Sequence, residues 1–450
     1  MILFHPLVEK WFKEKYSAST GIQELAWPKI ASGEHVLITA PTGSGKTLTA
    51  FLWAINQLIM GAWPAGTLRV LYVSPLKALN NDIRKNLVEP LTELRECFYK
   101  AGEKFPDIQV KTRSGDTPQG ERQRMIKKPP DILITTPESL NLLLLSIKAP
   151  VLFSGLATVI LDEIHAVAGT KRGTHLITAV DRLVRFAGEF QRIALSATVK
   201  PIENVAGFVG GYKIIRQNND YEKRKVSVIQ SGEEKAYKIT VCAPGQEGSW
   251  WNSLIEELKD IINKNRTTLL FTNSRQMTEK ITRLINESCG YQLVYSHHGS
   301  LARELRSFVE HKLKEGELKA IVATSSLELG IDIGQIDEVI LIQAPFFISS
   351  GIQRAGRAGH RVAEVSRISL FGLYAKDFLK AAVMARAIFE QDIEPLTIPL
   401  CPLDILAQII LSMTSTEIWD KNELYYFIKA SYPFYNLTEE QFFLILEMLA

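Results

Sequence analysis

The run HVLITAPTGSGKT, residues 35–47, constrains the fold more than any other stretch of the chain. An apolar, β-branched segment ends in a loop holding Gly43 and Gly45, and the loop opens at once into the helical pattern KTLTAFLWAINQLIM. Strand, glycine-rich loop and helix in that order make a P-loop, and a P-loop needs a parallel sheet behind it. Its glycines let backbone N–H groups turn inward around phosphates, where the helix N-terminus adds positive potential. Thr42, Gly43, Ser44 and Gly45 are therefore candidates for the phosphate cradle. Lys46 would reach the β- and γ-phosphates, and Thr47 would offer its hydroxyl to Mg²⁺. The loop departs from the strict pattern at Ala40, where a Gly is usual.

The surrounding sequence supplies the sheet. Strand-like runs at RVLYVS (69–74), DILITT (131–136), TVILD (158–162) and RIALS (192–196) alternate with amphipathic stretches such as GTHLITAVDRLVRFAG. Continuous β-branched runs between helices indicate strands buried on both faces. The rhythm lapses in the polar stretch 211–248 and then restarts with TTLLFTN (267–273), QLVYSHH (292–298), KAIVATS (319–325), DEVILIQ (337–343) and SRISLF (366–371). The expected fold class is α/β: one domain over 1–215, a linker with the first strand of the next domain over 216–245, and a second domain over 246–395. After 395 come LDILAQIILSM and LTEEQFFLILEMLA, consecutive helices with Thr438 as a cap. Residues 396–450 are expected to be a helical domain cut short at Ala450.

Composition excludes more than it selects. Lys and Arg number 52 against 49 Asp and Glu, a net charge of +3, too small to argue for nucleic acid. The four cysteines are scattered without zinc-ligand or redox spacing, as expected of reduced thiols in a cytoplasmic protein. The N-terminal MILFHPLVEKWFKEKY carries charge by Glu9 and reads as a packed amphipathic helix, neither signal peptide nor membrane span.

A P-loop needs a carboxylate on a neighbouring strand, and VILDEIH (159–165) provides one. Asp162 would hold Mg²⁺ and Glu163 would orient and deprotonate an attacking water. His165 is either a satisfied loop histidine or a relay from the nucleotide. The chain lacks an Asn-Lys-x-Asp base reader, which disfavours a signalling GTPase, and the Ser-Gly-Gly signature of transporter ATPases. The second α/β domain has no P-loop, but it holds QRAGRAGH (353–360). An arginine on the γ-phosphate accelerates phosphoryl transfer by roughly 10³–10⁵, about 4–7 kcal/mol. Arg354 and Arg357, one helical turn apart beside small residues, are the candidates.

In order, the chain presents TGIQ (20–23), APTGSGKT, SPLKALNND (74–82), SGDT (114–117), TTPESL (135–140), DEIH, SAT (196–198), LLFTNSR (269–275), HHGSL (297–301), ATSSLELGIDIG (323–334) and QRAGRAGH. This series resembles the superfamily 2 DEAD/DEAH-box helicases. Within them SPLKALNND, DEIHAVAGTKRGTHL, HHGSL and TSSLELGIDIG are most similar to the large helicase-related (Lhr) family. The resemblance implies two tandem RecA-like domains with ATP in the cleft between them, followed by the start of a winged-helix domain. It implies an ATP- and Mg²⁺-dependent DNA helicase that loads on single-stranded DNA, moves 3′ to 5′, acts on DNA or RNA–DNA duplexes and serves DNA repair. An RNA-directed remodeller of the same architecture is the alternative. It gives Gln23 the reading of adenine, Ser196 and Thr198 the coupling of hydrolysis to motion with His165 as partner, and Gly330 and Asp332 a place in the motif touching both nucleotide and strand. Gln353 joins Arg354 and Arg357 in the catalytic motif.

Motors of this class hold mainly sugar–phosphate backbone, so their strand contacts are expected in loops at strand C-termini. These are Ser74, Pro75, Leu76 and Lys77; Ser114 and Gly115; and Thr136, Pro137 and Glu138. In the second domain they are Asn273, Ser274 and Arg275; His298, Gly299 and Ser300; and Thr324 and Ser325. Each hydroxyl is equally suited to capping a helix. The stretch 111–128 carries six basic and two acidic residues and is either a rim for the strand or a solvated helix face. Trp250–Trp251 and Phe346–Phe347 could stack on bases, but beside apolar helical patterns they are expected to pack in cores or interfaces.

Overall fold

A computed structural model describes residues 3–41, 43–75, 77–215, 220–230, 232, 235–243, 250–328, 333–359 and 365–450. They fall into two compact units. One comprises Met1–Ala40, Gly45–Ser231 and Pro395–Ala450; the other comprises Pro41–Ser44 and Gly232–Glu394.

The strands of the first unit are β1 (His35–Thr39), β2 (Val70–Val73), β3 (Val110–Arg113), β4 (Ile132–Thr135), β5 (Thr158–Leu161), β6 (Gln191–Ser196), β7 (Tyr212–Ile215), β8 (Asp220–Lys223) and β9 (Val226–Gln230). Seven of them form one sheet in the order β3-β4-β2-β5-β6-β1-β9, every pair parallel, while β7 and β8 make a small antiparallel hairpin. Period-two alternation divides the strand side chains between two cores. Val36, Ile38, Tyr72, Ile134 and Leu195 enter one, with Ile22, Trp27 and Phe51 from the helices; Leu37, Val73, Leu133, Leu161 and Ala194 enter the other, with Leu140, Ile177 and Val205. Each such side chain is worth about 1.5–3 kcal/mol buried, so a one-residue slip of any central strand is strongly disfavoured.

Register sets the site. Thr39 of β1 lies opposite Ser196 of β6, and Leu161 of β5 opposite Ala194. The P-loop, the DEIH turn and the SAT turn therefore leave three adjacent strands at the same edge, about 5 Å apart. Ligands of open parallel sheets bind outside this carboxyl edge.

The second unit holds β10 (Tyr237–Cys242), β11 (Thr268–Thr272), β12 (Val294–His297), β13 (Ala320–Ala323), β14 (Glu338–Ile342) and β15 (Ser366–Phe371). All are parallel, in the order β10-β15-β14-β11-β13-β12.

One expected boundary changes. The stretch 216–245 is not simply a linker with one strand of the next domain. Val226–Gln230 completes the first sheet beside β1 as β9, and only β10 belongs to the second sheet. Residues 396–450 are helical, as expected, and share a compact unit with the first sheet. Their helices, Leu403–Thr414, Lys421–Lys429 and Glu439–Leu449, have a small core of their own around Phe434 and Phe442. They are tied to the sheet domain by Lys171–Asp404 (2.8 Å), Arg182–Ser412 (2.8 Å) and Arg185–Glu417 (2.9 Å). Arg185 also stacks 4.0 Å over Trp419. Tyr432 sits so close to Gly207 that a Cβ there would lie 2.7 Å from its ring.

Among the described residues no helix is long and apolar enough to cross a membrane.

Candidate functional site

The P-loop is built by two glycines in the left-handed region. Gly43 and Gly45 both have φ of +83°, which a β-carbon disfavours. At Gly45 there is a second reason: a Cβ would meet Gln23 Nε2 at 2.9 Å. Gln23 is 3 % exposed, and its Oε1 accepts the Thr20 N–H at 2.9 Å in a capping box. The glutamine is thus locked against the loop before any base arrives. Lys46 opens the helix Lys46–Ile59 and lays its Nζ on the Ala40 carbonyl at 2.5 Å. Ser44 Oγ donates to the Pro41 carbonyl at 2.8 Å, and Thr47 is half-buried in the first turn. Thr42 lies outside the described residues.

Asp162 and Glu163 leave the buried end of β5. Asp162 accepts the Tyr72 hydroxyl on Oδ2 and the Glu163 N–H on Oδ1 at 2.8 Å. Burial, then the neighbouring Glu163 charge, raises its carboxyl above the usual range, against the hydrogen bonds and Lys46. A cation beside it would relieve that cost. The donors Thr47 and Asp162 are oxygens, as Mg²⁺ prefers, and among the described residues no cluster of His, Cys, Asp or Glu forms a metal cage. The residues fit a magnesium ion that arrives with phosphates.

Glu163 has φ of +46°, a strained value for a residue with a side chain. The turn this allows brings Glu163 back over His165. His165 Nδ1 accepts the Ala197 N–H at 3.0 Å and lies 3.4 Å from Ser196 Oγ. Accepting on Nδ1 leaves the proton on Nε2, which is 3.4 Å from Glu163 Oε2. His165 is therefore a link between Glu163 and the turn after β6. Thr198 is exposed in that turn.

The loops of this unit expected to face a nucleic-acid strand are tied together more than their hydroxyls suggest. Ser74 is buried at the end of β2, with its N–H on the Thr135 carbonyl at 3.1 Å. Thr136 and Pro137 cap and start the helix Pro137–Leu144. Arg172 joins the two loops: its Nε meets Glu138 at 2.5 Å and its Nη2 meets the Pro75 carbonyl at 2.7 Å. Ser114 and Gly115 are held by Arg122, which donates to both carbonyls at 3.3 and 2.7 Å. Lys77 begins a helix, Lys77–Lys100, but its side chain and the whole of Leu76 lie outside the described residues.

In the second unit, β11, β13 and β12 are neighbours, so Asn273, Thr324 and His298 emerge side by side from their C-terminal ends. Ser274 caps the helix Arg275–Cys289, leaving Arg275 exposed near Gly299. His298 is buried and pairs through Nε2 with Glu279 at 2.6 Å, while its Nδ1 accepts the Ser300 N–H. Thr324 is half-buried and Ser325 exposed. Gly330 and Asp332 lie outside the described residues, as does His360.

The two arginines correct a geometric expectation. The helix Ile348–Ala355 ends before Arg357, which stands in the turn beyond it rather than on the same helical face. The pair still converges, on Glu328: Arg354 Nε bonds its carboxylate at 3.0 Å, and Arg357 Nη2 its carbonyl at 2.9 Å. Arg354 is 5 % exposed, also bonds Asn273 Oδ1 at 3.1 Å, and stands over Phe271. Gln353 is half-buried on the same helix.

Sequence reading missed what orders this loop. Lys235 is 5 % exposed, and its Nζ donates to the carbonyls of Gly356, Ala358 and Gly359 at 2.8, 2.8 and 3.0 Å. A lysine in a polar stretch gives no signal for this; only the fold brings it under QRAGRAGH. Arg172 was visible inside the motif DEIHAVAGTKRGTHL, without a role. Phe346 and Phe347 are 84 % and 62 % exposed, so of the expected settings the core is excluded for them. Trp250 and Trp251 do pack against their domain's core.

Three family models match the chain: DEAD/DEAH box helicase over residues 20–205, helicase conserved C-terminal domain over 253–361, and the winged helix domain of large helicase-related protein over 386–450. ATP-dependent helicase Lhr-Core protein 2 of Thermococcus barophilus is 43 % identical, over 98 % of this chain and 52 % of its own length. ATP-dependent helicase Lhr-Core of Methanocaldococcus jannaschii is 42 % identical, over 98 % and 52 %. The structure of Mycobacterium smegmatis helicase Lhr bound to ssDNA and AMP-PNP superposes with a TM-score of 0.91 at 41 % identity, over 99 % of this chain and 58 % of that one. The chain spans about half the length of the curated relatives it matches.

Proposed function

This chain belongs to the Lhr family of superfamily 2 helicases, and from that premise we propose that it is the ATP-hydrolysing motor of a helicase that tracks 3′ to 5′ on single-stranded DNA, opens DNA or RNA–DNA duplexes and serves DNA repair. The observation that carries the reading is the link from Glu163 through His165 to Ala197, which ties a water-activating carboxylate to the turn after β6. A phosphatase or kinase has no need of such a connection, whereas a motor must report each hydrolysis to another part of the fold. The M. smegmatis relative, bound to ssDNA and AMP-PNP, supports the choice of DNA and of ATP.

The residues take these roles. Gln23 reads the adenine edge while the Gly43–Gly45 loop and Lys46 hold the phosphates. Thr47 and Asp162 would hold Mg²⁺, which would supply neutralisation of phosphate charge. Glu163 orients the attacking water and takes its proton; the Nε2–H of His165 then faces a carboxylate that has changed charge, and Ala197 and Ser196 register the change. Arg357 stabilises the charge that develops on the γ-phosphate. Arg354, already paired with Glu328, holds the motif in place. Gly330 and Asp332 complete the nucleotide contacts. The strand runs over Ser74, Pro75, Lys77, Ser114, Gly115, Thr136 and Pro137, and over Asn273, Arg275, His298, Gly299, Thr324 and Ser325.

ATP turnover measured with no polymer, single-stranded DNA or RNA tests this directly. DNA should raise kcat at least tenfold and more than RNA does. Arg357→Ala should then abolish the stimulated rate, a loss of about 10³ or more, while DNA affinity is kept. A rate indifferent to every nucleic acid sinks the motor reading, and stimulation by RNA alone reassigns the substrate.

A further inference from the structure

The basic stretch 111–128 is only partly absorbed by the motor's own loops, through Ser114, Gly115 and Arg122, and the structure gathers part of the rest into a groove. Arg84, Lys111, Arg124 and Lys128 line a cavity of about 390 Å³ with Thr112, Met125 and Pro130. The single acid of its lining is Glu121, and the structure gives these four cations no carboxylate partner among the described residues. Arg122, by contrast, is spent on the carbonyls of Ser114, Gly115 and Thr117. The Thr112 hydroxyl oxygen is buried without a hydrogen-bond partner among the described residues. The groove also lies off the proposed track. Gln109 and Pro130, which line it, precede β3 and β4, whereas Ser114 and Thr136 follow them. The length of a four-residue strand, roughly 10 Å, separates the two ends.

Four cations against one carboxylate around one cavity select a ligand with several negative oxygens spaced along its length. We propose that this groove on the outer edge of the first sheet is a second nucleic-acid site, gripping the phosphodiester backbone of a duplex arm while the single strand occupies the motor loops. The inference rests on the motor reading only for the identity of the polymer. It requires no base contact, since Arg and Lys to phosphate position a duplex without reading sequence.

The test uses the whole chain and the variant R124E/K128E, two exposed positions that make no contact with the P-loop or the strand-facing loops. Affinity is measured for a short single strand and for a fork with the same 3′ arm, across a salt series. The fork should bind wild type more tightly than the single strand. R124E/K128E should lose at least tenfold on the fork and stay within twofold on the single strand. The slope of log K against log salt on the fork should fall by about 2, near 0.9 per lost phosphate contact. Equal loss on both ligands would make the groove part of the track, and no loss on either would make it solvated charge; both outcomes overturn the proposal. Wild type that binds neither ligand refutes the motor reading instead, so the two failures are told apart. Free phosphate at millimolar level that displaces the fork as well as it displaces a single strand also counts against a duplex-specific groove.

Discussion

At the scale of single residues, this protein uses buried charge to hold its candidate catalytic groups still. Lys235 is the clearest case, a cation with three backbone carbonyls and almost no water. Removing its ammonium takes a buried donor from each of these carbonyls, of which Ala358 keeps the Ser366 hydroxyl, and a buried acceptor left unmet costs about 1–3 kcal/mol, so the Arg357 loop would relax into another shape. Lys235→Met is expected to lower the DNA-stimulated kcat at least tenfold while KM for ATP and DNA affinity change less than threefold. Lys235→Arg, which keeps charge and donors, should recover much of the rate. A folded Lys235→Met with unchanged kcat would show that the lysine only fills space. No local signal announces this residue: a Lys two residues before an edge strand is ordinary, and its partners lie more than a hundred positions away.

At the scale of elements, glycine marks places where two pieces of chain come too close for a side chain. Gly207, in the helix Ile202–Gly210, faces the ring of Tyr432 from the C-terminal helices. Gly207→Ala would place its Cβ 2.7 Å from that ring, and overpacking of this kind costs about 1–3 kcal/mol. Limited proteolysis should then cut within 396–450 faster than in wild type, and the melting temperature should drop by several degrees. Equal cleavage rates would mean that the ion pairs alone hold these helices. The strands show how far pattern reading reaches. The runs in β1, β2, β4, β5 and β6 are apolar on both faces and were legible. Val110–Arg113 and Val226–Gln230 lie at the two edges of the sheet, each covered on fewer sides, and their mixed polarity hid them.

At the scale of the whole molecule, the first unit is closed by a charged network rather than by apolar burial alone. Arg192 is fully buried, with Asp181 at 2.8 Å; Arg224 pairs with Glu189 at 2.8 Å, and Ser431 of the C-terminal helices bonds Asp181. His35 sits beside these arginines, and its Nδ1 accepts the Arg192 N–H at 3.1 Å. Burial, then Arg192 and Arg224, lower its pKa to about 4, whereas an unfolded histidine titrates near 6.5. Between those values the unfolded chain holds the extra proton, so stability is full above pH 6.5 and falls as pH drops towards 4. The loss is at most about 3 kcal/mol, reduced by solvent screening at this half-buried group. Urea unfolding at pH 7.5, 6 and 5 should show it, and His35→Gln should flatten that dependence. A variant as pH-sensitive as wild type would place the titration elsewhere.

Residue order alone determined the chemistry available to this chain. A glycine loop between strand and helix, two carboxylates after an apolar strand and a pair of arginines in a small-residue turn are local patterns, because backbone torsions and side-chain reach act over a few residues. The family and ten of the strands followed from such patterns, and so did the candidate nucleotide half-site. What only the tertiary structure decided are relations between distant positions: His165 to Ala197, Arg172 to Pro75, Lys235 to the arginine loop, β9 beside β1, and the C-terminal helices on the first sheet. Hydrogen bonds and ion pairs across the fold depend on which surfaces meet, and no spacing along the chain records that.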